Sequence, residues 1–145
     1  MRYNIVALER EYASGGLEIG EKLAARLGIP CYGKEILERA AKRLGVSAGE
    51  LQYLEEHMTG SLLFSLNMFA SYTSGEGADL TKTQKLALTE SEIIKELALE
   101  PCVIVGRSAA GLLKNHDKVL KVFINADIGD RINRACHTYG ADPQH

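Results

Sequence analysis

Four short runs constrain the fold of this chain more than any other feature: Tyr3-Asn4-Ile5-Val6-Ala7-Leu8, Ile29-Pro30-Cys31-Tyr32, Cys102-Val103-Ile104-Val105 and Val119-Leu120-Lys121-Val122-Phe123-Ile124. Three of the four are continuous apolar runs rather than polar–apolar alternations. A strand covered on one face alternates, whereas a strand covered on both does not. Helical patterns separate the runs, so the sequence predicts an α/β architecture, a parallel sheet between layers of helices. Ligands in such sheets bind beyond the carboxyl ends of the strands. Chemistry is therefore to be sought after Leu8, Tyr32, Val105 and Ile124.

The intervening stretches read as follows. Residues 17–27 form a helix with Gly20, Leu23, Ala24 and Leu27 on one face, ended by Gly28. Residues 34–44 form a second, with Ile36, Leu37, Ala40, Ala41 and Leu44 inward and Gly45 as the stop. Ser47 with Glu50 makes a capping box for a helix reaching about His57. Between 58 and 80 the pattern weakens: residues 62–69 are apolar enough for a helix or a partner interface, and 71–77 read as a loop. Thr81 with Gln84 caps a long helix whose inward stripe is Leu86, Ile93, Ile94 and Leu97. A short helix follows at 109–114, and a last one starts at Asp127, carries Arg131 and Arg134, and runs to about Tyr139.

Composition narrows the function classes. The chain has 145 residues, 46% hydrophobic and 25% charged, which suits one globular domain and excludes a disordered or disulfide-dense chain. Net charge is −2, so there is no general basic field and nucleic acid is not an expected partner. No apolar stretch reaches the ~18–20 residues of a membrane span. The opening run meets Glu9, Arg10 and Glu11 too soon for a signal peptide. Cys31, Cys102 and Cys136 lack paired spacing and read as free thiols, which predicts a cytoplasmic setting. His57, His116, His137 and His145 make no metal-ligand spacing with them, so no protein-held metal is expected.

Three strand ends carry candidate chemistry. After the first run comes Ser14-Gly15-Gly16 leading into a helix, and the free amides from Gly15 to Glu18 (with Leu17 between) can hold an anion. A tight turn with no ligand would look the same, and the Gly-Lys-Ser/Thr of a regular Walker A loop is missing. After the third run stands Gly106-Arg107-Ser108, where a guanidinium fork suits phosphate, unless Arg107 makes an ordinary surface ion pair. Arg131 and Arg134 share a helix face, which alone is compatible with a merely solvated surface.

Taken together, Arg10-Glu11-Tyr12-Ala13-Ser14-Gly15-Gly16 with Ile19, Gly28-Ile29-Pro30-Cys31-Tyr32, Pro101-Cys102-Val103-Ile104-Val105-Gly106-Arg107-Ser108-Ala109, and Val122-Phe123-Ile124-Asn125-Ala126 with Arg131 resemble the cytidylate kinase-like family, relatives of the P-loop nucleoside-monophosphate kinases. The resemblance covers nearly the whole chain. It implies a three-layer P-loop NTPase-like fold and ATP-dependent phosphoryl transfer to a monophosphate such as CMP or dCMP, with Mg2+ arriving on ATP. It places Ala13 to Glu18 on the phosphate loop, with Ser14 as a hydroxyl ligand. Arg39 and Arg107 fall on the acceptor phosphate. Arg131 and Arg134 fall at the start of the lid, and Arg10 is a further catalytic cation. The single domain, 1–145, would then hold a helical acceptor-binding insertion around 34–80 and the start of a lid around 127–145.

The departures from that pattern are physical ones. Gly16 stands where a kinase has the phosphate-loop lysine, and Glu18 where a magnesium-binding hydroxyl belongs. Gly33 and Ser108 replace acidic residues expected for base and ribose recognition. The chain ends soon after the lid arginines, so the resemblance reads it as C-terminally truncated, with an open sheet edge that a homodimer could cover. Three readings stay open: a working kinase, a non-catalytic nucleotide- or phosphate-binding module, and a fragment inactive for lack of its lid. Two substitutions follow from the alignment: Arg107→Ala should weaken monophosphate binding and leave folding nearly intact, and Gly16→Lys should raise ATP affinity.

Overall fold

The computed structural model of the protein describes residues 2–57 and 80–142. In chain order the elements are β1 (Ile5–Arg10), α1 (Gly16–Leu27), β2 (Cys31–Tyr32), α2 (Lys34–Leu44), α3 (Ala48–His57), α4 (Lys82–Leu97), β3 (Cys102–Val105), α5 (Ala109–Leu112), β4 (Val119–Ile124) and α6 (Ile128–Thr138). The four strands form one all-parallel sheet in the order β2-β3-β1-β4. The 62–69 stretch and the 71–77 loop lie outside the described residues.

Successive side chains of a strand point to opposite faces, and here both faces of the central pair are covered. Val6 and Leu8 of β1 and Val103 and Val105 of β3 pack with Ala24 of α1. Ile5, Ala7, Cys102 and Ile104 face the other way, onto α2, α4 and α5 through Ile36, Leu37, Leu86, Ile94 and Ala109. This explains why the β1 and β3 runs are unbroken. Each large aliphatic side chain buried there contributes roughly 1.5–3 kcal/mol. Ala40 and Ala41 let α2 approach α4, and outside the core Arg43 forks onto Glu96 at 3.0 and 2.9 Å.

One expectation is corrected. The first strand does not end with the apolar run at Leu8: β1 continues through Glu9 and Arg10, which pair with Phe123 and Ile124 of β4. β4 lies at one edge of the sheet and β2 at the other, and the β4 run is not enclosed: Phe123 is 64% exposed and Leu120 40%. An apolar run reports strand propensity, whereas position within the sheet is set by long-range pairing that local composition does not carry.

The helix boundaries follow the chemistry read from the sequence. Gly28 and Gly45 adopt φ +65 and +69° and end α1 and α2. Thr81 and Gln84 exchange the two capping-box hydrogen bonds at 3.2 and 2.8 Å. Glu50 accepts from Ser47 N–H at 3.1 Å and from Lys82 Nζ at 2.7 Å, and the lysine above all pulls its carboxyl down to about 2. Gly20 brings α1 onto β3: a Cβ there would stand 2.6 Å from Val105 Cγ2. Gly20→Ala is therefore expected to destabilise the protein. Overpacking of about 1–3 kcal/mol outweighs the roughly 1 kcal/mol of helix propensity gained. A thermal melt with Tm lowered by several degrees checks this, and an unchanged or raised Tm contradicts it.

Candidate functional site

β1 delivers the chain to its carboxyl end, and residues 11–15 turn it into α1. The turn is closed by Ser14 N–H donating to the Glu11 carbonyl at 3.2 Å, and Ala13 and Gly15 take left-handed backbones at φ 59 and 83°. The first helical hydrogen bond of α1 runs from Ile19 N–H to Gly15 carbonyl at 3.1 Å. The amides of Gly16, Leu17 and Glu18 therefore have no partner within the helix, and no side chain caps them. Gly16 and Leu17 border a cleft of about 380 Å³ lined by residues 10–17 and Tyr139. Ser14 is 6% exposed, and its Oγ is buried with no hydrogen-bond partner. A buried hydroxyl left unsatisfied costs roughly 1–3 kcal/mol, so this is a position prepared for an added acceptor or donor.

The arginines of α6 reach this loop. Arg131 Nε donates to the Tyr12 carbonyl at 2.8 Å, and its Nη1 lies 3.4 Å from Glu11 Oε2. Arg134 Nη1 donates to the Ala13 carbonyl at 3.4 Å. A Cβ on Gly15 would stand 2.8 Å from Arg134 Nη1 and 3.2 Å from Glu18 Oε2, so a cation and a carboxylate converge where the helix begins. Glu18 suits the positive end of the helix macrodipole, and it also repels an incoming anion. A second, polar hollow of about 460 Å³ lies between Ser14 and the α6 residues Asp130, Asn133, Arg134 and His137.

Arg10 links this loop to the next strand. A Cβ on Gly16 would be 2.5 Å from Arg10 Cβ and 2.7 Å from its Cγ, so the arginine stem lies directly on Gly16. A Cβ on Gly106 would collide with Arg10 Nη1. The side chain therefore crosses from the α1 start to the turn after β3, resting on two glycines. Among the described residues it forms no ion pair.

The remaining candidates stand on the α2/α4 side of the strand ends. Arg39 of α2 is exposed and lies over the Tyr32 ring, 5.2 Å from its centroid. Arg107 sits in a turn whose three residues, Gly106, Arg107 and Ser108, all have positive φ (73, 59 and 54°). Its Nη1 lies 3.4 Å from Oε1 of Glu90, a fully buried residue of α4. The arginine is thus drawn toward α4, while α1 and its amides occupy the opposite face. The structure gathers Arg10, Ser14, Gly15, Gly16, Leu17, Glu18, Arg131 and Arg134 around one loop. It holds Arg39 and Arg107 apart from them, each on its own partner.

Two carboxylates escaped the sequence reading. Glu90 was detectable: it falls between Leu86 and Ile93/Ile94 on the inward stripe of α4, a charged residue at a core position. Glu35 was not. Gly33 N–H donates to its Oε2 at 2.9 Å, which returns a carboxylate to the end of β2 where the resemblance shows none. The backbone amides of Glu35 and Gly33, then Arg39, hold that carboxyl below its usual range.

Comparison with known proteins adds identity to this geometry. Residues 5–145 match the cytidylate kinase-like family. No curated protein matches the chain. Among solved structures it is similar to an uncharacterized protein from Eubacterium ventriosum, with 25% identity and a TM-score of 0.62 over 97% of this chain and 64% of that one. The chain thus spans about two thirds of that protein's length. The fold is a P-loop NTPase-like α/β fold.

Proposed function

The chain belongs to the cytidylate kinase-like family, and on that premise we propose that it binds a nucleoside triphosphate at the α1 start and transfers its terminal phosphoryl group to a nucleoside monophosphate of the CMP or dCMP type. The observation that carries this reading is the uncapped start of α1, open to a cleft, with a buried unpartnered hydroxyl and three arginines around it.

In this reading the amides of Gly16, Leu17 and Glu18 receive donor phosphate oxygens, and Ser14 Oγ donates to one of them. Phosphoryl transfer depends on alignment and on neutralising charge as it spreads over the transferred group. Arg10 supplies the positive charge that Gly16 cannot. Arg131 and Arg134 exchange their loop carbonyls for phosphate oxygens as α6 closes as the lid. Arg39 and Arg107 take the acceptor phosphate from the α2/α4 side, and the 34–80 segment forms the acceptor-binding insertion. Glu35, held by the Gly33 amide at the end of β2, meets the acceptor's polar groups. The chain's oxygen donors at the loop, Ser14 Oγ and the Glu18 carboxylate, are of the type Mg2+ takes. Magnesium bound with ATP would neutralise phosphate charge there.

A coupled ADP-release assay with CMP, dCMP, UMP and AMP tests the reading. ADP formed with CMP or dCMP supports it. The carboxylate of Glu18 beside Gly15 favours one alternative, a nucleotide-binding module without turnover. That alternative gains if ATP raises Tm and no acceptor yields ADP. If ATP shifts nothing, both readings fall.

Glu18 also gives a signed prediction. Glu18→Gln removes one negative charge from the phosphate approach, so triphosphate affinity is expected to rise about three- to tenfold, as expected for one unit charge several ångströms away at a partly wet site. Calorimetric titration with ATP checks this. Weaker binding would mean that Glu18 contributes to metal or nucleotide contact instead.

A further inference from the structure

Glu90 is the one charged side chain among the buried described residues. Its neighbours Thr89 and Ser91 are buried too, but their hydroxyls donate to carbonyls of their own helix, at 2.8 Å to Lys85 and 2.7 Å to Leu88. A carboxylate cannot satisfy itself that way. Glu90 instead reaches across to Arg107, which keeps 27% of its side chain open to solvent.

Arg107 stands in the middle of the left-handed 106–108 turn. For a residue with a Cβ that backbone is strained, and it persists only where the surroundings enforce it. A buried ion pair is a poor source of stability, since an apolar pair of similar volume is commonly as stable. What the pair does provide is orientation. Nη1 of the guanidinium lies 3.4 Å from Oε1 of a fixed, buried carboxylate, an attraction that draws the planar fork to one side of the strand end.

We propose that Glu90 is a positioning residue, acting through Arg107, that fixes this arginine as the acceptor-monophosphate arm. The inference rests on the phosphoryl-transfer reading above. It assigns Glu90 a role in acceptor binding and none in donor binding.

Calorimetric titration of the full chain with CMP and, separately, with ATP tests it, using the wild type, Glu90→Gln, Arg107→Ala and the double variant. Glu90→Gln is expected to weaken CMP binding about tenfold, the loss of one oriented charge-assisted contact, with ATP affinity unchanged. In the Arg107→Ala background the same substitution is expected to cost CMP affinity nothing further. Arg107→Lys, which keeps a cation for Glu90 but loses the fork, covers the case in which Glu90→Gln does not fold, and should also weaken CMP selectively. Glu90→Gln with wild-type CMP affinity, equal losses for CMP and ATP, or a full loss in the Arg107→Ala background would each overturn the proposal. Wild-type protein that binds neither nucleotide would overturn the underlying reading, a separate result from any of these.

Discussion

Arg10→Ala is expected to lower ATP affinity by about ten- to a hundredfold and to remove turnover, with Tm little changed. The geometry separates the two effects. The guanidinium lies between the α1 start and Gly106 and forms no ion pair among the described residues, so its loss strands no buried charge. Charge-assisted hydrogen bonds to phosphate contribute roughly 1.5–3 kcal/mol each, which gives the binding loss. A cation aimed at developing charge adds about 10²–10³ in rate. Calorimetry, ADP release and a thermal melt read the three quantities separately. An Arg10→Ala protein that binds ATP as tightly as wild type would remove Arg10 from the donor site.

The same geometry reverses the outcome drawn from alignment for Gly16→Lys. Any side chain at 16 begins 2.5 Å from Arg10 Cβ, a fixed atom near the backbone that cannot swing aside as the far end of a side chain can. The single substitution is expected to lower Tm and leave ATP affinity no higher, because the lysine enters space that Arg10 fills. Arg10→Ala keeps that Cβ, so only an Arg10→Gly background vacates the space, and there Gly16→Lys should restore part of the lost ATP affinity. Arg10 and a loop lysine are alternatives for one place. The glycine that looks like a missing catalytic group is the space its replacement requires.

This shows what a linear reading can and cannot reach. Elements set by local chemistry were legible: the Gly28 and Gly45 stops, the Thr81–Gln84 box, and the periodicity of α1, α2 and α4. The parallel sheet followed because β1 and β3 lack polar positions, as strands covered on both faces must. Strand order was hidden: Lys121 set the β4 run apart from the unbroken ones, but only pairing shows that β4 lies at an edge. The loop around Gly15 was legible from its glycines. The arginines around it were named from the sequence, but their relations were not. Arg131 and Arg134 meet carbonyls more than a hundred residues away, and Arg10 lies on Gly106. The Glu90–Arg107 pair joins a helix to a strand end, and only the break in a hydrophobic stripe hinted at it.

That pair changes the expected result of Arg107→Ala. From sequence alone the substitution should leave folding intact, on the premise that an arginine at a strand end serves only a ligand. In the structure its guanidinium lies 3.4 Å from a carboxylate with no exposure to water. Removing one partner of a fully buried pair costs about 3–5 kcal/mol, because the remaining charge cannot recover its hydration. Arg107 is partly open to water, which lowers the cost to about 2–3 kcal/mol, and alanine keeps a Cβ, so the strain at this positive φ is not relieved. For a chain of this length that corresponds to a Tm lower by roughly 5–10 °C. Monophosphate affinity should fall with it, so binding has to be measured well below the new melting temperature. Glu90→Gln in the same background supplies the diagnostic comparison. If the lost stability comes from a stranded carboxylate, neutralising it returns much of the Tm but none of the CMP binding. A double variant as unstable as Arg107→Ala would place the cost in lost packing of the arginine stem instead.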